Sequence, residues 1–213
     1  MMNFKEFHNK MLSFVVFSYE DIYGVFGDID RRRLYEWAKK KYIIPVIKGV
    51  YIFSEFKDTK GLEYLIANKI YEPSYLSLEY VMSSKSLIPE AVYTLTSIST
   101  KKTAIFDTSF GNFSYRNLKT ELYRGYELQK IEIPLYGKTI ERTVKTASIE
   151  KAFFDFVYLK KGLLTKNEIL EMRFDRSVLA ALNKKSLRNY TSLSNNRTVE
   201  INLTHIFKHY DIH

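Results

Sequence analysis

Four stretches carry residue types at spacings that could do chemistry. Gly137-Lys138-Thr139 has the ending of a phosphate-binding loop, whose backbone N–H groups cradle phosphate while the lysine reaches it. That loop needs a glycine five residues before Gly137, where Glu132 stands, so a hairpin turn fits better. Ser148-Ile149-Glu150-Lys151 has the Ser-x-x-Lys spacing of some acyl-transfer enzymes, but the companion motifs are absent. A serine opening a helix as its N-cap accounts for it. Glu150, Lys151 and Asp155 combine carboxylates and a cation as nuclease sites do, yet the adjacent Glu-Lys lacks the intervening residue of a Glu-x-Lys arrangement. Lys151 and Asp155 lie one helical turn apart and can pair, at about 0.2–0.5 kcal/mol if exposed. His205, His209 and His213 are spaced by four, which would put their rings on one helical face where two or three could hold a metal. No acidic residue is obviously positioned to complete such a site, and a frayed polar helix end explains it better. The expectation is a protein that is not an enzyme and needs no metal or cofactor.

The absence of cysteine excludes disulfides, thiolate catalysis and cysteine-based zinc or iron–sulfur sites. With 46% hydrophobic residues, 17 Tyr and 15 Phe, the chain can fill a core, so global disorder is not expected. The segment Met1 to His8 is charged and interrupted by polar residues, unlike a signal peptide, and no apolar run is long enough to span a bilayer. A cytoplasmic setting follows as the expectation. The net charge of +9 permits an acidic partner, and its distribution is uneven. From Arg31 to Lys48 seven Lys or Arg stand against the single acid Glu36.

The elements that would position this charge read as a small unit, residues 1–57. Phe4, Phe7, Met11 and Leu12 mark an amphipathic helix over Asn3 to Leu12. Ser18 with Asp21 caps a second, which Gly27 ends. After Asp28-Ile29-Asp30 a third helix runs from Arg31 to Lys41, with Leu34, Trp37, Ala38 and Lys41 on its inner face. Tyr42 to Ile47, Lys48-Gly49 and Val50 to Phe53 then read as a hairpin. Three helices and a hairpin are the order of a winged helix-turn-helix. Such a unit sends a recognition helix into the DNA major groove, where outward side chains meet base edges and cations neutralise phosphates. Arg32, Tyr35 and Lys39 are the groove candidates; Arg31, Arg33, Lys40 and Lys48 are the phosphate candidates.

Residues 56–61 read as a linker, Leu62 to Ile70 as a helix, and 61–213 as a larger α+β unit. In it Pro73 suits a helix start, with Pro89 as the stop. Strands are predicted over Val92 to Ile98, Thr103 to Phe106, Asn112 to Tyr115, Tyr123 to Glu127, Gln129 to Leu135 and Thr139 to Val144. Helices follow over Ser148 to Leu159, Asn167 to Met172, Ser177 to Leu187 and Thr204 to Tyr210. Sheet first and helices afterwards is an α+β order with a mainly antiparallel sheet.

Pro73-Ser74-Tyr75-Leu76-Ser77-Leu78 and Ser86-Leu87-Ile88-Pro89-Glu90 resemble the Pro-Ser-Tyr-Ile-Ser-Leu … Gly-Leu-Ile-Pro-Glu signature of abortive-infection type E (AbiEi-type) antitoxins of type IV toxin–antitoxin systems. Leu76 replaces the usual Ile, and Ser86 the usual Gly. Thr100-Lys101-Lys102, Gly111-Asn112-Phe113-Ser114-Tyr115 and Ala147 to Asp155 are similar to the family's Thr-x-Lys, Gly-x-Phe-x-Tyr and Ala-x-x-Glu-Lys-Ala-Leu-x-Asp elements, with Phe153 in place of Leu. The resemblance runs from about Gly49 to Asp155. It implies a transcriptional autorepressor that binds inverted repeats in double-stranded promoter DNA, and an antitoxin countering a nucleotidyltransferase-like toxin without a stable complex. Glu150, Lys151 and Asp155 are the candidates within the antitoxin domain. The alternatives are a nucleic-acid-processing nuclease joined to a winged helix, or a module whose basic stretch docks an acidic protein.

Overall fold

The computed structural model describes residues 3–212. Helix α1 (Phe4–Met11) starts where the Asn3 side chain accepts the Glu6 N–H, and it buries Phe7 and Met11. Strand β1 (Val16–Ser18) leads into α2 (Tyr19–Phe26) through a full capping box. The Asp21 N–H donates to Ser18 Oγ, and the Ser18 N–H donates to the Asp21 carboxylate at 2.6 Å. Helix α3 (Arg31–Lys39) is followed by the hairpin β2 (Ile43–Ile47) and β3 (Val50–Phe53). β1 joins the hairpin antiparallel to β3, giving the strand order β1-β3-β2. Rings fill the space between sheet and helices: Phe7 lies 4.6 Å from Trp37, and Phe17 4.9 Å from Phe53. Phe56 is fully buried, so the segment read as a linker begins inside the core. Helix α4 (Leu62–Lys69) follows, and its Lys69 amine reaches Asp21 at 2.8 Å and Glu72 at 3.1 Å.

The chain divides into two compact units. One comprises Met1–Glu72, Asp107–Gly111 and Gln129–Val144; the other comprises Pro73–Phe106, Asn112–Leu128 and Lys145–His213.

The stretch after Pro73 opens with a strand, β4 (Ser74–Leu76), where the sequence suggests a helix start. Pairing outweighs the local preference of proline for a helix's first turn: β4 lies between β5 (Leu95–Ser99), antiparallel, and β9 (Lys138–Ala147), parallel. The helix α5 (Leu78–Ser84) starts only after Ser77. Leu78 makes the corner with φ +59, a left-handed conformation costing a residue with a side chain about 1–2 kcal/mol. Thr96 holds that corner from the neighbouring strand. Its carbonyl accepts the Ser77 N–H at 3.0 Å, and its hydroxyl donates to the Ser77 carbonyl at 2.7 Å and accepts the Tyr80 N–H at 3.0 Å.

α5 ends in a Schellman motif: the Leu87 N–H donates to the Met82 carbonyl and the Ser86 N–H to that of Ser83, with Leu87 and Met82 fully buried. Ser86 takes the left-handed position at φ +59.

β6 (Ala104–Thr108), β7 (Gly111–Asn117) and β8 (Tyr126–Leu135) complete a six-stranded sheet in the order β6-β7-β5-β4-β9-β8. β5 and β7 are parallel, so the sheet is mixed. Tyr123 to Glu127 and Gln129 to Leu135, expected as two strands, fall into the single strand β8 and its approach. Tyr136 and Gly137, both at positive φ, turn β8 into β9, so Gly137-Lys138-Thr139 is a hairpin turn.

The helices α6 (Ile149–Tyr158), α7 (Lys166–Glu171), α8 (Arg176–Ala181), α9 (Lys184–Ser194) and α10 (Arg197–His209) follow, an α+β order. The helix expected over Ser177 to Leu187 breaks at Asn183, whose side chain accepts the Ser186 N–H and starts α9. α10 begins seven residues before the expected Thr204, because the Asn196 side chain caps it.

Candidate functional site

The basic stretch is organised by α3. Asp30 caps it, its carboxylate accepting the Arg32 N–H at 3.0 Å and its carbonyl the Arg33 N–H at 3.0 Å. Leu34 and Trp37 are buried and anchor the helix against α1, with the Trp37 ring 5.4 Å from Phe4 and 4.6 Å from Phe7. With that stripe fixed, the opposite side must face water. Arg31, Arg32, Tyr35, Glu36, Lys39 and Lys40 are exposed, and Tyr35 keeps 73% of its surface accessible. An aromatic ring so little covered contributes almost nothing to the fold.

Arg31 is already in contact, its guanidinium 4.2 Å from the centre of the Tyr19 ring, whose hydroxyl donates to Asp28 at 2.8 Å. Arg33 is half-buried. Lys41, expected on the inner face, lies beyond the helix at φ +58 and is exposed. It takes the left-handed place of a second Schellman motif, in which the Tyr42 N–H donates to the Trp37 carbonyl and the Lys41 N–H to that of Ala38. Lys48 is exposed at the turn between β2 and β3. The helix thus carries Arg31, Arg32, Tyr35 and Lys39 outward with Lys40 exposed at its C-cap, and the hairpin of the same unit carries Lys48.

In the second unit, two segments far apart in sequence meet. Lys151 and Asp155, one turn apart on α6, are both fully buried and form an ion pair. Asp155 also accepts hydrogen bonds from the Tyr75 hydroxyl at 2.9 Å and the Ser77 hydroxyl at 2.8 Å. Tyr75 and Ser77 sit two residues apart, so an extended backbone points both side chains to one face. The Lys151 amine lies 5.1 Å from the centre of the Phe154 ring, 5.5 Å from Tyr75 and 5.6 Å from Tyr190. Gly125 lets Tyr190 approach: a Cβ there would lie 2.4 Å from the Tyr190 hydroxyl oxygen.

Burial disfavours charge on both partners, pushing Lys151 below its ordinary pKa and Asp155 above its own, against the attraction of each for the other. Burial, and then the Asp155 charge, raise the Tyr75 phenol. The pair is a core element here, not the exposed pair whose worth was set at a few tenths of a kcal/mol.

Glu150 takes no part in this cluster. Half-buried, it accepts the Asn183 N–H at 3.0 Å at the start of α9. The polar roles of Tyr75 and Ser77 have no counterpart among the candidate residues that the sequence offers. A Tyr in a short buried strand and a Ser just past its end, two residues on, are the available signal, but nothing local names Asp155 as their partner.

Among the described residues no group of three His, Cys, Asp or Glu side chains could hold a metal ion; His213 lies outside them. His205 is exposed on α10, and His209 packs edge-on to Tyr210. No helix among the described residues is long and apolar enough to cross a membrane. No protein-family model matches the chain, and no curated protein matches it.

Proposed function

We propose that this chain is a DNA-binding antitoxin, with a winged helix-turn-helix over residues 1–57 that represses its own operon and an α+β antitoxin domain over 61–213. The observation that carries the DNA reading is the exposed face of α3. Arg31, Arg32, Tyr35, Lys39 and Lys40 point away from the aromatic core that Leu34 and Trp37 anchor. In this reading α3 is the recognition helix, Arg32, Tyr35 and Lys39 meet base edges, and Arg31, Arg33, Lys40 and Lys48 meet phosphates. The hairpin β2-β3 is the wing. The DNA partner is the chain's own promoter, with inverted repeats, in a cytoplasmic setting.

The antitoxin half of the proposal rests on the resemblance of 73–90 and 147–155 to the AbiEi-type elements. It is supported by the meeting of those two segments in one buried cluster, Tyr75 and Ser77 from the first and Asp155 from the second. The toxin countered is nucleotidyltransferase-like, and no stable complex with it is required. A nuclease built on Glu150, Lys151 and Asp155 is disfavoured, because a fully buried carboxylate cannot reach a scissile phosphate.

The test is binding of the full chain to its upstream DNA, followed by fluorescence anisotropy across a salt series. Specific binding that weakens steeply with salt is expected. In Arg32→Ala/Lys39→Ala each lost base contact should cost about 1–3 kcal/mol of discrimination. Unchanged affinity in that double variant would sink the assignment of α3. Divalent-metal-dependent cleavage of the probe by wild type would instead favour a nuclease.

A further inference from the structure

α9 and α10, joined at the Asn195-Asn196 turn, enclose a groove of about 870 Å³ in the second unit. The apolar part of its floor that a ligand can reach is Phe207 and Ile212, both half-buried, with Leu187 and Leu203 covered behind them. Its rim is basic: Arg188, Arg197 and Lys208 are exposed, and among the described residues no ion pair engages them. Glu200 is the one acid of the lining.

Two polyanions could answer this charge, and the floor decides between them. A phosphodiester backbone would neutralise the rim but leave Phe207 and Ile212 facing charged oxygens. An amphipathic helix with an apolar stripe and acidic flanks satisfies floor and rim together, the stripe entering the groove as in other helix-in-groove complexes. The eleven residues of α9 and thirteen of α10 give walls of roughly 16–20 Å at about 1.5 Å per residue, enough for about three turns of a partner helix.

We propose that the groove between α9 and α10 receives an acidic amphipathic helix of a partner protein. Leucine-type side chains spaced three and four apart fill the floor, and Glu or Asp on either flank meet Arg188, Arg197 and Lys208. This surface is separate from α3, and the proposal stands whether or not the chain binds DNA.

The probe is a fluorescein-labelled synthetic helix of about fifteen residues, long enough to span the groove. It carries Leu at i, i+3, i+4 and i+7 and Glu on both flanks; a twin carries Lys in place of Glu. The full chain is expected to bind the Glu peptide and not the Lys peptide, with amide shifts in NMR spectra concentrated on α9 and α10. Arg188→Glu/Arg197→Glu should weaken the Glu peptide by about tenfold or more, about 1.4 kcal/mol, and should gain affinity for the Lys peptide. Thr204→Trp, an exposed groove position, should weaken the Glu peptide without moving the melting temperature. The proposal is overturned if the Glu peptide fails to bind at about 1 mM, or if the charge-reversed variant binds it equally. It is also overturned if single-stranded RNA displaces the peptide and produces the same shifts, or if Thr204→Trp instead abolishes self-association of the chain, since the occupant is then nucleic acid or a second copy.

Discussion

The Tyr75 hydroxyl donates a hydrogen bond of 2.9 Å to the Asp155 carboxylate across 80 residues of sequence, inside a core where neither residue meets water. Ser77 and Lys151 bond the same carboxylate, so every polar atom of this cluster depends on Asp155. Removing one partner of a buried pair leaves the other charge uncompensated, which costs about 3–5 kcal/mol. Asp155→Ala should lower stability by that amount in urea unfolding, and Tyr75→Phe, losing one bond to a charged acceptor, by about 1.5–3 kcal/mol. The double change Lys151→Met/Asp155→Leu should recover only the part due to the unpaired ammonium, since the buried Tyr75 and Ser77 hydroxyls still lack their acceptor. An Asp155→Ala protein within about 1 kcal/mol of wild type would show that the cluster contributes little.

Phosphate and base contacts separate by their salt response. If Lys48 neutralises one phosphate, Lys48→Ala should weaken promoter and unrelated DNA alike and reduce the slope of log K against log salt by about 0.9. Arg32→Ala should instead narrow the gap between the two DNAs. Identical profiles for the two variants would contradict the division of roles proposed for the helix and the hairpin.

Ser86 occupies a left-handed backbone position that an L-residue enters at a cost, and its side chain is exposed. Glycine stands at this position in the antitoxin signature. Ser86→Gly should raise stability by up to about 1 kcal/mol, since the relief of about 1–2 kcal/mol is offset in part by the greater freedom of glycine in the unfolded chain. The thermal midpoint should rise with no change in DNA binding; a fall would mean that the serine side chain contributes more than its exposure indicates.

Four carboxylates respond to acid in the same direction, among them Glu20, held below its ordinary pKa by its backbone N–H and the Ser18 side chain. Glu168 is held below its ordinary pKa by the Thr165 N–H and hydroxyl, Asp175 by the Ser177 hydroxyl and Val178 N–H, and Glu90 by Arg173. A carboxyl depressed in the folded state adds stability that is present above its unfolded pKa and lost as pH falls through the folded one. Stability should therefore hold steady above about pH 5 and decline from roughly pH 4 downward. Asp175→Asn, which keeps a capping oxygen without the titration, should flatten that decline.

The sequence was most legible where one helix or one turn decides the outcome. Asn3, Ser18 with Asp21, and Asp30 announce α1, α2 and α3 through caps that act within three residues. The Gly137 turn was visible for the same reason. β1 was missed because its three residues are all buried, and no alternation can show in so short a strand. β4 was misread because Pro73 is a local signal, whereas the pairing that decides against a helix comes from residues 95–99 and 146. Of the candidate site, the outward face of α3 followed from periodicity alone. The cluster around Asp155 did not, since its partners are joined only by the tertiary fold.

Ribosomal synthesis gives the Thr96 bracket at the Ser77 corner a further role. The 78 residues from Ser77 to Asp155 take about 4–16 s to emerge at 5–20 residues per second. Over that interval β4 lacks both its parallel neighbour and the carboxylate that Tyr75 and Ser77 will bond, leaving one sheet edge and two polar side chains without partners. Strand β5 and Thr96 arrive much earlier, within about twenty residues of Ser77, and can fix the corner first. The Thr96 bond to the Ser77 carbonyl spans 19 residues where the bond to Asp155 spans 78, so closing the corner costs less loop entropy than closing the core over it.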